Sequence, residues 1–141
     1  MQSNVKIALL LIRVTFGLFL LVWGLDKILN TDHVAAVFSK FYGIGALAGS
    51  VAMILGVLQV LLSLAIITGL FKTVTYGAAV LIHGGSTIAT AGHILMPMAE
   101  GSNLLFMAGL PIMGAVLGLF IARKEDTLFS LDSSREHVKS A

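Results

Sequence analysis

The stretch IALLLIRVTFGLFLLVWGLDKIL, residues 7–29, is apolar throughout apart from Arg13, a single threonine and the Asp26-Lys27 pair near its end. Its length matches the ~20 residues that a helix rising ~1.5 Å per residue needs to cross a ~30 Å hydrocarbon core. A guanidinium in hydrocarbon costs at least ~2.5–3.5 kcal/mol, so Arg13 is expected to face the inside of a helix bundle or a wet cavity. The run is too long for a signal peptide, and no small-residue cleavage site follows it, so it is expected to stay as an anchor.

Three further stretches have the same character, at 47–71, 74–96 and 104–122. Hydrophobic residues make up 57% of the chain and charged ones 11%, a balance that argues against a soluble domain of this length. The expected fold is therefore all-α, a polytopic membrane protein whose single domain, 1–141, is a four-transmembrane-helix bundle. Its connections are unequal. The loop 30–46 carries Thr31 ahead of Val34, Val37, Phe38 and Phe41, with Gly43 after them, the pattern of a short capped amphipathic helix at the outer interface. Residues 71–73 form a minimal turn that makes the second and third helices antiparallel neighbours, and 96–103 is a second outer loop. Pro111 is expected to kink the fourth helix. The tail, 123–141, is polar and too short for a domain.

Basic residues set the expected orientation. Lys6, Lys72, Arg123 and Lys124 lie on one side, whereas Lys27 and Lys40 on the other are offset by Asp26, Asp32 and Glu100, so both termini are expected in the cytoplasm. The net charge of +2 reflects this asymmetry and requires no nucleic-acid partner. The chain has no cysteine, which excludes thiol–disulfide chemistry by its own residues and thiolate ligation of a metal. His83 and His93 are ~15 Å apart along one helix, too far to ligate one haem iron together. No metal site is expected.

Helical periodicity gathers the remaining polar residues. Arg13, Gly17, Leu20, Gly24 and Lys27 share one face of the first helix, where the two glycines admit a second backbone. Gln59 and Ser63 stack on the second helix, and Tyr76, His83, Ser86, Thr87, Thr90 and His93 form a stripe on the third. Rise along the helices sorts them into a mid-membrane cluster of Arg13, Gln59, Ser63 and His83 and an outer-rim cluster of Lys27, His93, Glu100 and Asn103. An apolar pocket with a few convergent polar groups at the first level suits a quinone or another amphipathic head group. A lone Gln or Ser in a membrane helix also serves as glue between helices, and Lys27 and Lys40 also suit snorkelling.

Arg13 with Gly17, and Trp23-Gly24-Leu25-Asp26-Lys27 at the outer end of the same helix, resemble the opening of the DoxX/DoxD family of four-helix bacterial membrane proteins. The resemblance continues through Gly43, Ala65-Ile66-Ile67-Thr68-Gly69-Leu70, His93, Ala99-Glu100-Gly101, Asn103-Leu104 and Ser130-Leu131-Asp132, covering nearly the whole chain. Two positions depart from it. Gln59 stands where many members have a glutamate, and His83 is an addition, so an ion-paired or proton-relay Arg13 finds no support in the helices themselves. The resemblance implies an inner-membrane protein, an accessory or quinone-proximal subunit of a redox system without catalysis of its own. The runner-up reading is a non-redox assembly partner or chaperone of a larger membrane complex, and a small-solute transporter comes third. The implied partners are the lipid bilayer, other membrane subunits or further copies of the chain, and the implied ligand is a quinone.

Overall fold

The computed structural model describes residues 2–45 and 47–139; Ala46, in the first expected loop, and the last two residues of the tail lie outside the described residues. Among the described residues the chain is all-helical, with no strand. The elements are α1 (Gln2–Leu29), α2 (Thr31–Tyr42), α3 (Gly49–Thr68), α4 (Lys72–Ala89), α5 (Ala91–Leu95), a 3-10 turn (Leu104–Ala108), α6 (Gly109–Ile121) and α7 (Leu131–Lys139).

Three of these stretches are long and apolar enough to cross a membrane, Ser3–Leu29, Gly49–Thr68 and Leu104–Ile121. Their outward surfaces stay apolar, with Leu11, Val22, Leu58, Leu61, Leu110 and Ile121 all exposed. The third expected span is divided: α4 ends at Ala89, and Thr90, at φ −103° and ψ 12°, separates it from the five-residue α5. The Thr90 hydroxyl donates back to the Ser86 carbonyl at 3.0 Å, a local bond that competes with regular helix. α4 is also the most polar of the long helices, and it turns Thr75, Tyr76 and His83 inward, where they are buried.

α1 and α3 pack at the closest range in the molecule. A Cβ on Gly24 would lie 3.1 Å from the Val60 nitrogen and 3.3 Å from the Gly56 oxygen, and one on Gly56 would lie 2.9 Å from the Gly24 oxygen. The second backbone anticipated beside Gly17 and Gly24 is therefore that of α3. Leu9, Phe16, Leu20, Ile66, Tyr76, Ala79, Val116 and Leu119 form the core where α1, α3, α4 and α6 meet.

The boundaries differ from the sequence reading for physical reasons. α3 stops at Thr68 because Gly69 takes a left-handed φ of 65° and closes a reverse-capped turn, Gly69 N to Ile66 O at 3.0 Å and Leu70 N to Ala65 O at 2.9 Å, so the turn falls at 69–71. Pro111 does not kink a helix. It sits in the first turn of α6, after the 3-10 segment, where a missing N–H costs nothing. A helix occupies the first expected loop as α2 and ends on Gly43 at φ 69°, but its N-cap is Asn30, whose side chain is turned to Asp26.

The tail is built into the fold. Asp126, Ser130 and Ser133 are buried, and α7 follows directly on a segment that seals the end of the bundle beside the 69–71 turn. That end is called here the tail end; α2, α5 and the 3-10 turn mark the opposite, loop end.

Candidate functional site

Arg13 is 1% exposed and Asp126 0%, and Arg13 Nη1 meets Asp126 Oδ1 at 2.9 Å. The acid absent from the helices is supplied by the tail. Nη2 donates to the carbonyls of Leu128 at 2.9 Å and Phe129 at 3.2 Å, so the guanidinium binds both the charge and the backbone of one segment. The other carboxylate oxygen of Asp126 accepts from the Tyr76 hydroxyl at 2.5 Å, and Lys72 Nζ donates to the Asp126 carbonyl at 2.8 Å and to Ser133 Oγ at 3.3 Å. α1, α4 and the tail are thus joined through one buried aspartate. Arg13 Nε alone lacks a partner among the described residues.

The Ser130-Leu131-Asp132 segment explains why this tail fits there. Ser130 Oγ donates to the Gly69 carbonyl at 3.1 Å, and the Asp132 carboxylate accepts from the backbone N–H groups of Phe71 and Lys72 at 2.9 and 2.8 Å. Asp132 thereby caps the start of α4 from sixty residues away, satisfying two otherwise orphaned donors and placing negative charge at a helix N-terminus. Gly69 must be glycine for the contact to close, since a Cβ would lie 2.9 Å from both Arg13 Nη1 and Ser130 Oγ. Replacing Asp132 with alanine should cost about 0.5–2 kcal/mol, the usual worth of an N-cap, read as a shift of the unfolding midpoint in detergent micelles. A wild-type midpoint would mean that water replaces the cap without loss.

The expected mid-membrane cluster does not assemble. Gln59 Nε2 donates to the Leu20 carbonyl at 2.9 Å and ties α3 to α1. Ser63 Oγ turns back to the Val60 carbonyl of its own helix at 2.7 Å. His83 Nε2 lies 3.2 Å from the Gly109 carbonyl, with Phe16 and Phe19 edge-on to the imidazole at 5.9 and 6.0 Å. A carbonyl only accepts, so this bond places the proton on Nε2. Arg13 is aimed away from all three, toward the tail, because the Asp126 carboxylate outweighs any neutral acceptor farther along the helices. Close contact through glycine brings the α1 and α3 backbones together at the level of Gln59.

The rim cluster divides in two. Lys27 Nζ donates to the Trp23 carbonyl at 3.3 Å and lies 5.8 Å from the Trp23 ring centroid. Beside it Asp26 accepts from Asn30 at 2.9 Å and pairs with His33 at 2.7 Å, while His33 stacks on Trp23. This set fastens α2 to the end of α1. His93 belongs elsewhere. Its ring lies parallel to Phe106 at 4.4 Å, meets Phe41 at 6.0 Å, and brings Nδ1 within 3.3 Å of Ser102 Oγ. His93, Ser102, Glu100, Lys40, Phe41 and Met96 line an open groove of about 340 Å³ at the loop end. Asn103 stays outside the groove and caps the 3-10 turn by accepting from the Leu105 N–H at 2.9 Å.

The chain matches no protein-family model, no curated protein and no solved structure. Its function has to be read from these two ends. The tail end is a closed structural network in which nearly every polar atom is taken, whereas the loop end has a wall of aromatic rings with polar atoms still accessible. Of the expected site residues His93 and Glu100 share this groove; Lys40, Phe41 and Ser102 join them there unannounced, and Phe106 backs the His93 ring. Alternating aromatics around a histidine carry no distinctive spacing when they come from three separate elements. Among the described residues no group of acidic or histidine side chains has the geometry of a metal site.

Proposed function

We propose that this chain is a DoxX-like, four-span protein of the bacterial inner membrane that holds the ring of a quinone in the loop-end groove, as an accessory subunit of a membrane redox system. α4 with α5 serves as the fourth span, its polar groups consumed inside the bundle. α2 lies as an amphipathic helix on the outer interface, and both termini are cytoplasmic, since Lys6, Lys72, Arg123 and Lys124 gather at the tail end.

The observation that carries this reading is His93 on the groove wall, stacked on Phe106 and edge-on to Phe41, the two phenylalanines themselves 5.6 Å apart. A quinone head group is a flat ring with two carbonyl acceptors. It requires an aromatic or apolar slot with polar groups at its edge, and Lys40 offers a donor and His93 a ring nitrogen beside Phe41 and Met96. The site needs no cysteine and no metal, and the ligand itself would carry the electrons.

Purification from native membranes in mild detergent, followed by solvent extraction, should recover quinone with the protein. His93→Ala should lower the recovered quinone about ten-fold, as expected for one lost hydrogen bond with its stacking surface. Lys27→Ala, outside the groove, should leave it unchanged. Recovery of a large protein partner with no quinone, unaffected by His93→Ala, would replace this reading with that of an assembly factor.

A further inference from the structure

The tail end carries a second feature that the closed network does not use. Phe71 and Phe129 are both exposed, at 59% and 86%, and both have left-handed backbone, at φ 50° and φ 48°. That conformation is uncommon for any side chain other than glycine and unfavourable for a bulky aromatic, so each ring is held away from the protein by a backbone the neighbouring contacts fix. Asp132 fixes the first by accepting from the Phe71 N–H, and Arg13 fixes the second by donating to the Phe129 carbonyl. Leu131, next in sequence, is exposed as well, and so is Val138 farther along α7.

Basic side chains occupy the same end of the protein, one of them against the Phe71 ring. The Arg135 guanidinium lies 5.6 Å from the Phe71 ring centroid, the Arg123 guanidinium 4.6 Å from that of Phe120, and Lys124 is exposed between them in sequence. Of the three acids in the segment 123–135, two are engaged. Asp126 is buried against Arg13 and Asp132 is engaged by two backbone N–H groups, which leaves Glu125 as the exposed acid among the described residues of the segment 123–135. Exposed aromatics beside basic side chains, with the acids turned inward, match the boundary between acyl chains and anionic head groups.

We propose that the junction of the 69–72 turn with the tail is a membrane-binding foot, in which Phe71 and Phe129 enter the head-group boundary while Arg123, Lys124 and Arg135 bind anionic phospholipid. The inference rests on the bundle being embedded in a bilayer, and the test separates the two. In a Trp23→Phe background, which removes the only native tryptophan, single tryptophans replace Phe129, Phe71 or Leu58, and each protein is reconstituted into vesicles of phosphatidylcholine with phosphatidylglycerol. Trp in place of Leu58, exposed midway along α3, reports whether the bundle is embedded.

With the foot in place, brominated lipid quenches the tryptophans at 129 and 71 and aqueous iodide does not. Arg135→Gln should lower the ratio of lipid-quenched to iodide-quenched emission at 129 about five-fold, the worth of one cation near an anionic surface, and Arg135→Lys should restore it. Pure phosphatidylcholine should lower it at least as far. Iodide quenching at both 129 and 71, with the tryptophan at 58 quenched by brominated lipid, would overturn the foot and leave the embedded bundle intact. Iodide quenching at 58 as well would overturn both.

Discussion

Replacing Asp126 with alanine is expected to destabilise the folded protein by about 3–5 kcal/mol, the cost of leaving a buried guanidinium without its counter-charge. Arg13 would lose its only carboxylate among the described residues, and Tyr76 and the tail backbone would lose their common anchor. Arg13→Met should cost a similar amount by stranding the carboxylate instead. The double variant Arg13→Met, Asp126→Leu should recover much of either loss, because apolar side chains replace a buried ion pair at little net cost. Unfolding in dodecylmaltoside micelles, followed by circular dichroism, gives all three values. Single-variant losses below about 1 kcal/mol would show the pair to be wet and screened, contrary to its burial.

Gly56→Ala is expected to cost about 1–3 kcal/mol by overpacking, and possesses a built-in control. The added methyl would approach the Gly24 carbonyl at 2.9 Å and Ile28 Cγ1 at 2.7 Å, so α1 and α3 have to separate, and backbone cannot give as a side-chain tip can. Gly114→Ala adds the same methyl where nothing lies within 4 Å and should be neutral or slightly stabilising, since alanine favours helix. Equal midpoints for the two variants would mean that the α1–α3 contact relaxes freely. The Gln59 bond to Leu20 crosses this same interface and should weaken with it.

The apolar runs and their lengths made the helices legible, because the bilayer imposes a length and the backbone must satisfy itself within each segment. Gly17 and Gly24 were readable for the same reason: small residues on one face announce close approach, although not which helix approaches. Arg13 was correctly placed inside the bundle, but its partner was sought within the helices. Asp126 lies in a polar segment that periodicity leaves blank, and its pairing with Arg13 depends on how residues 123–130 fold back, which no local signal encodes. A shared level along the helices groups Gln59 with His83 but says nothing about which carbonyl each side chain meets first, Leu20 for one and Gly109 for the other. Splitting of the third stretch at Thr90 was hidden likewise, since one threonine bonding to its own helix leaves the hydropathy nearly unchanged.

The span of 113 residues between Arg13 and Asp126 orders events in time as well as in space. At about 5–20 residues per second of synthesis, α1 is made roughly 6–20 s before its counter-ion exists. Until residue 126 is made, Arg13 lacks the carboxylate that neutralises it in the folded protein, so the surroundings of α1 are completed only from the far end of the chain.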